Sequence, residues 1–287
     1  MGGTQCRGTD CVECQKMGCG DCDSVVAGTD NMVKVTCKSP TYSESQPTFL
    51  FEDGASYAGE WSGPFRHGHG IYTDIDGSVY EGQWVDDKAH GSGRMLHVDG
   101  SSYEGEWRDS MKHGTGTFLH ADSSRYAGQW EENNQSGHGK EEWSDGATYI
   151  GQYVAGSKTG SGKYIWSNGS RFEGQFVNND IHGMGTYVWS DGCTYEGQWK
   201  RQQMDGEGKF TYPDGRVYEG DFSGNLKNGT GILRWPDGRE YDGQWLDGEQ
   251  HGVAQWTEDG HMRFSTEWEH GQRIDNPNGA AMVSIEC

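Results

Sequence analysis

The side chains with the greatest chemical reach gather at the amino end of the chain. Met1-Gly2-Gly3-Thr4-Gln5-Cys6 places a glycine after the initiator methionine and a thiol four residues beyond it. This resembles an N-myristoylation signal, with Gly2 acylated once the methionine is removed, although Cys6 stands where the signal prefers serine or threonine. One myristoyl chain gives only marginal membrane binding, and a second acyl chain on a nearby thiol makes the anchor durable. Gly2 and Cys6 are therefore expected to carry myristate and palmitate, with an unmodified tail as the alternative. Electrostatics could not replace the lipid, because residues 1–47 hold only Arg7, Lys16, Lys34 and Lys38 among six acids.

A second cluster follows at once. Cys11, Cys14, Cys19 and Cys22 form a doubled C-x2-C. Four thiolates hold Zn²⁺ tetrahedrally. The four-residue gap is far shorter than the roughly 15–20 of zinc ribbons, so a zinc site here would be a small knuckle with almost no core. Free or palmitoylated thiols are the first reading, and zinc and disulfides are the alternatives. No apolar segment marks an export signal, which argues against an oxidising compartment. No stretch approaches transmembrane length.

Histidine supplies a third candidate. His67, His90, His113, His182 and His251 share one column of a repeat, in which other copies hold Ser136, Thr159, Asp205 or Asn228. Neighbours in such a column lie about 10 Å apart, twice what one zinc could bridge. The column is read as a hydrogen-bonding position at a turn or strand end. Repeated Asp, Ser and His supply no unique triad, and no phosphate loop or nucleophile elbow appears. No catalytic residue and no cofactor are predicted.

The elements that must position all of this are set by a 23-residue beat. Its copies begin at Tyr57, Tyr80, Tyr103, Tyr126, Tyr149, Phe172, Tyr195, Tyr218, Tyr241 and Phe264. The unit reads Y-x-G-x-W, a polar stretch, H-G-x-G, then D-G before the next aromatic. A fixed period of this length marks a repeat array, whose units bury their apolar faces only by stacking on neighbours. Aromatic, Gly and aromatic at alternate positions fall on one face of a strand, and G-x-G-x-aromatic does the same on a return strand. A regular glycine column inside strands needs a steric reason, and rings lying flat over bare backbone provide one. Asp-Gly is read as the hairpin turn. Two strands per unit at about 4.8 Å each give about 95 Å for ten units.

The unit Y-E-G-Q-W…H-G-x-G…D-G of Tyr80–Gly100 and Tyr195–Gly215 resembles the MORN (membrane occupation and recognition nexus) repeat, over about 220 of the 287 residues. The expected fold is all-β: an elongated single-layer antiparallel sheet of about ten β-hairpin repeats. The expected organisation is a Cys-rich, largely disordered segment 1–48, an array 49–268 and a short tail 269–287. Hydrophobic residues make up only 32% of the chain, too few for a thick core.

Charge narrows the partners. With 23 basic against 44 acidic residues and a net charge of −21, nothing provides the electrostatic footprint of a nucleic-acid binder. Acids recur at Glu60, Glu81, Glu104, Glu106, Glu173, Glu196, Glu219, Asp221 and Asp242, on the face expected to lie opposite the rings. They are read as a solvated face, or as a landing strip for a basic partner. A one-layer sheet is not expected to bury all of its rings, and an exposed apolar groove marks a binding site. Tyr80, Trp84, Tyr103, Trp107, Tyr126, Trp130, Tyr149, Tyr195 and Trp199 are therefore read as a partner-binding groove. At the far end Thr266 replaces the glycine between Phe264 and Trp268, and the preceding G-x-G has become Gly252-Val253-Ala254. That open edge predicts a homodimer in which Phe264 and Trp268 make contact.

The resemblance implies a non-enzymatic scaffold. Head and tail are too short to add a catalytic domain of the kind joined to related arrays. The expected setting is the cytoplasm, at the cytoskeleton or the cytoplasmic face of a membrane, where the array would organise cytoskeletal, basic or amphipathic protein segments. One alternative is a ciliary or axonemal part resembling radial spoke head proteins. Another is a soluble adaptor holding a partner helix along the groove.

Overall fold

The computed structural model describes residues 47–258 and 260–274. The chain divides between Phe49 and Leu50, and the repeats form the unit that follows. Among the described residues there is no helix. Twenty-one strands form one antiparallel sheet. Seven-residue strands such as Val79–Val85 and Ser102–Arg108 alternate with nine-residue strands such as Lys88–Leu96 and Met111–Leu119. Each strand pairs with the strands before and after it in the chain.

The difference in length has a local cause. Gly82 lies opposite Gly93, yet Trp84 lies opposite Ala89, so the longer strand carries two extra residues in a bulge. Gly91 opens that bulge at φ 60, a left-handed conformation that suits glycine. The residue between Gly82 and Trp84 then closes it. Gln83 Oε1 accepts a hydrogen bond from the Ser92 backbone N–H at 3.0 Å. The same bond recurs from Thr115 to Glu106 (2.9 Å), from Ser161 to Gln152 (2.9 Å) and from Thr230 to Asp221 (2.8 Å).

The turns differ from the sequence reading. Asp-Gly does not close the two-residue hairpin. That turn is Asp86-Asp87, with φ of 47° and 67°, and its equivalents include Asn178-Asn179 and Arg201-Gln202. Two positive φ values identify a type I′ turn, whose twist matches that of the strands. Asp-Gly lies instead in the longer connection between hairpins. There Gly77 N–H donates to the Asp74 carbonyl at 3.0 Å and Asp74 N–H to the Ser78 carbonyl at 2.8 Å. Asp76 Oδ1 accepts from Ser78 N–H at 2.7 Å, and Gly77 has φ 91°. This is the three-residue loop with a left-handed glycine. The type I′ turns also reach back one hairpin: Arg66 N–H donates to Asp87 Oδ1 at 2.8 Å, and Lys112 N–H to Asn133 Oδ1 at 2.9 Å.

The core is a row of rings set into glycine troughs. Tyr57, Tyr103, Tyr126, Tyr149, Phe172, Tyr195, Tyr218 and Tyr241 are fully buried. A Cβ on Gly116 would sit 2.3 Å from the Tyr103 hydroxyl, and one on Gly105 would sit 2.4 Å from the Gly116 Cα. The first obstacle is a ring; the second is backbone and cannot swing aside. Gly105→Ala is therefore expected to cost about 3 kcal/mol, the upper part of the overpacking range. Gly100→Ala meets no atom within 4 Å and is strained only by its φ of 87°, which costs about 1–2 kcal/mol. Thermal denaturation of the two variants checks the order; equal losses would show that the paired backbones have slack.

Candidate functional site

Each buried tyrosine is held at both ends. Its ring spans the two facing glycines, and its hydroxyl donates to the carbonyl three residues on: Tyr80 to Gln83 at 3.0 Å, Tyr126 to Gln129 at 2.9 Å, Tyr195 to Gln198 at 2.9 Å. The tryptophan of the following repeat closes over it. Tyr80 meets Trp84 at 5.0 Å and Trp107 at 5.2 Å, both edge to face, and Trp107 Nε1–H donates to the Gly93 carbonyl at 3.0 Å. Such pairs contribute about 0.5–1.5 kcal/mol each beyond area burial. They run without interruption from Tyr57–Trp84 to Tyr241–Trp268.

This corrects the expected groove. Tyr80, Trp84, Tyr103, Trp107, Tyr126, Trp130, Tyr149, Tyr195 and Trp199 are between 0% and 9% exposed, so they form the core and offer no contact surface. A single layer does bury its rings, because each lies in a trough and the next repeat lids it. The acidic column is corrected in part. Glu60, Glu106 and Asp221 cap bulges, and hydrogen bonds from Thr115 hold the Glu106 carboxyl below its ordinary range. Glu173, Glu219 and Asp242 face cations instead: Lys163 at 3.6 Å, Lys209 at 3.2 Å and Arg263 at 2.6 Å respectively. At their exposure such pairs add little stability.

What a partner can reach on the ring side is a second row that the sequence reading missed. Trp143, Trp166, Trp189, Tyr212 and Trp235 stand at the margin, three residues before the left-handed glycine of each loop, and are half-buried against the core. The earlier copies of this column hold Phe51, Asp74, His97 and His120. The row is continuous with the long strands: Trp143–Tyr164 5.2 Å, Tyr164–Trp166 4.5 Å, Trp166–Tyr187 4.9 Å and Tyr187–Trp189 4.4 Å between ring centroids. The repeated W-S-[DN]-G and [YW]-P-D-G strings carried the signal.

One copy breaks the pattern. Glu141 occupies a position where neighbouring copies hold Phe118 and Tyr164, and Tyr153 replaces the tryptophan. The Tyr153 hydroxyl donates to Glu141 Oε2 at 3.1 Å, and Lys158 Nζ donates to the same oxygen at 2.8 Å. Lys158 also lies over the Trp143 ring at 4.8 Å, as Lys227 lies over Trp245 at 4.6 Å. Burial among rings drives the Lys227 amine down to about 8.

The remaining candidates are placed as follows. Gly2, Cys6, Cys11, Cys14, Cys19 and Cys22 lie outside the described residues. Among the described residues no group of three or more His, Cys, Asp or Glu is arranged to hold a metal. Phe264 and Trp268 lie on the strand Met262–Glu269, both half-buried. Trp268 Nε1–H donates to Thr266 Oγ1 at 2.8 Å, and Trp268 packs on Tyr241, as in the inner copies. Beyond this strand only Gln272–Arg273 pairs, against Trp268 and Glu269. The stretch from Met262 to Ser265 has no further partner strand among the described residues.

An open single-layer sheet of like hairpins, with aromatic rings lidding glycine troughs, defines a class of repeat array. The MORN repeat profile matches nine consecutive copies: 57–79, 80–102, 103–125, 126–148, 149–171, 172–194, 195–215, 218–238 and 241–260. The chain belongs to the MORN repeat family, a family of repeat scaffolds that bind proteins. No curated protein matches it. Among solved structures it is similar to the SAS-4 (dCPAP) TCP domain of Drosophila melanogaster, in complex there with a proline-rich motif of Ana2 (dSTIL). That match has 14% identity and a TM-score of 0.35, over 62% of this chain and 90% of that one. The TCP10 domain of Danio rerio CPAP matches at 10% identity and a TM-score of 0.27, over 80% and 98%. At these values neither assigns a partner to this chain.

Burial raises the phenols of the core row: Tyr126, Tyr149 and Tyr195 move from an ordinary value near 10 up to about 12. An unfolded chain ionises these groups near pH 10 while the fold keeps them neutral, so between pH 10 and about 12 the unfolded state binds fewer protons. Stability from this row is complete below pH 10 and is lost as pH rises through the folded values. Tyrosinate absorbance and strand circular dichroism are expected to change together in that window. Ionisation at pH 10 with the sheet intact would show that the rings are accessible. Tyr126→Phe, which copies Phe172, is expected to cost about 1 kcal/mol for the lost hydroxyl bond.

Proposed function

We propose that this protein is a non-enzymatic scaffold that holds segments of protein partners along its repeat sheet, at a boundary between membrane and cytoskeleton on the cytoplasmic side. One observation carries the reading. Three of the polar columns a catalyst would draw on are spent on the sheet itself: tyrosine hydroxyls on carbonyls, Gln and Glu on bulges, Asp on loops. What the array offers is a long surface repeated at constant spacing, which suits an extended partner.

The membrane part of the proposal rests on Gly2 and Cys6. A chain of net charge −21 is repelled by anionic head groups, so attachment must come from lipid. Each buried methylene contributes about 0.8 kcal/mol, a single myristoyl chain binds with a constant near 10⁴ M⁻¹, and a second chain makes the anchor durable. Gly2→Ala is expected to release the protein from membranes almost completely, and Cys6→Ser to leave it weakly and reversibly bound. Fractionation after a high-salt wash reads both. A soluble wild type, or a Gly2→Ala protein that still sediments, would remove the anchor and favour a soluble or axonemal scaffold.

The open edge at Met262–Ser265 supports pairing with a second copy, with Phe264 and Trp268 beside the seam. Light scattering at tens of micromolar is expected to give the mass of a dimer, and Arg263→Pro, which cannot donate to a ladder, to return it to a monomer. A monomeric wild type would end this part of the reading.

A further inference from the structure

The half-buried aromatic margin is unbroken over only part of the array. In five successive copies it presents Trp143, Trp166, Trp189, Tyr212 and Trp235, where the three copies before them present Asp74, His97 and His120. The five are half-buried, so each ring leaves one part open to a ligand. Since both sets of residues fit the same fold position, the aromatic run is not required to form a repeat.

The acids beside the row show what it lacks. At its far end, Arg216 donates to Asp214 at 2.8 Å while its guanidinium lies 4.7 Å over Tyr212. Arg239 donates to Asp237 at 2.8 Å and lies 5.5 Å over Trp235. The chain thus builds the same Asp–Arg–ring sandwich twice. The copies with Trp143 and Trp189 have the ring and an exposed acid, Asp145 and Asp191, but hold Ala147 and Cys193 where the arginine stands. Lys158 already lies 4.8 Å over Trp143, and the Cys193 thiol donates to Asp191 Oδ2 only at 3.5 Å. An arginine from outside would add a charge-assisted bond at each acid, in place of the long thiol contact at Asp191, and a stacked cation on Trp189.

Spacing selects the conformation of the segment that brings those arginines. Successive marginal rings are one repeat apart, about 9.6 Å for two strands. A polyproline II helix advances about 9.3 Å per three-residue turn. Across the four intervals between five rings its mismatch accumulates to about 1.2 Å, within the tolerance of a ring contact. Seven residues of α-helix advance about 10.5 Å and drift by about 3.6 Å over the same span. Asp145 and Asp191 are two repeats apart, about 19 Å, which six polyproline II residues cover. Proline is also the side chain that aromatic rows take up at low entropic cost.

Resting on the scaffold reading above, we propose that the aromatic margin from Trp143 to Trp235 is a docking site for a proline-rich segment in the polyproline II conformation, with arginines six residues apart seated on Asp145 and Asp191. The test uses the full chain and three synthetic peptides in calorimetric titration. One carries proline at every third position through five turns and two arginines six residues apart. A second has the same composition shuffled, and a third is an amphipathic helix with heptad spacing and two arginines. The ordered proline peptide is expected to bind at least about tenfold more tightly than the other two.

Trp189→His, which copies His97 and His120, and Asp191→Asn are each expected to weaken that binding about tenfold, within the range for interface anchors. Asp191→Asn, which keeps the Oδ1 that accepts from Cys193 N–H, is expected to leave the melting temperature nearly unchanged, and Trp189→His, which loses ring contacts with Tyr187 and Phe210, to lower it by a few degrees with the sheet still folded. Equal binding of ordered and shuffled peptides, or unchanged binding by folded Trp189→His, would overturn the proposal. Preference for the helical peptide, or no binding of any of the three, would overturn it too. The first of these leaves the scaffold reading standing, and the second leaves that reading to be settled by partner contacts elsewhere on the sheet.

Discussion

Everything in this molecule depends on one steric bargain between a ring and two glycines. The tyrosine needs two facing α-carbons without side chains, or its hydroxyl and a Cβ would meet at 2.3 Å. The glycines in turn need the ring, because glycine alone weakens a strand and leaves its backbone to water. Once the ring is seated, its hydroxyl fixes the carbonyl at the bulge, the bulge lengthens one strand by two residues, and the Gln or Glu between closes the gap. The next tryptophan then completes the lid. Burial, register and strand length in each copy follow from this single contact.

The same bargain explains how a chain with few hydrophobic residues folds without a second layer. Layered domains bury one sheet face against another element. Here the rings fold down onto their own sheet, so the core is one side chain deep. The cost is that these rings are no longer free to bind anything. Function moves to the margin, where the rings have no glycine trough to enter and stay half open.

The period, the ring-over-glycine face and the all-β class were legible in the sequence because they are chemically extreme columns: a Tyr or Phe, a Gly and a Trp in fixed phase. The turns were read less well, for two reasons. Asp-Gly serves both a two-residue and a three-residue loop, and the letters alone do not separate them. The true two-residue turns are occupied by Asp86-Asp87, Asn178-Asn179 and Arg201-Gln202, which share no one residue pair, only a tolerance of positive φ. The bulge caps read as surface charge in the sequence, because Glu60 and Glu106 look like any solvated acid until the extra residues opposite them are seen. The marginal row escapes the sequence reading because its column is not aromatic in every copy, holding Asp74, His97 and His120 before Trp143, Trp166 and Trp189.

Pairing only between chain neighbours has a consequence for how the molecule is built. Sheet proteins usually fold slowly, because strands distant in sequence must find one another before any contact stabilises them. In this sheet a strand such as Arg171–Val177 pairs only with the strands on either side of it in the chain, and its rings reach no further than the adjacent repeats. Its contacts are therefore as local as those of a helical bundle, and loop-closure entropy is small at every step. Assembly can begin at whichever hairpin closes first and extend by single hairpins in either direction. During synthesis the amino-terminal copies can complete their core before the carboxy-terminal ones exist. The transient open edge then always faces the next hairpin of the same chain, which shortens the time in which another molecule could claim it.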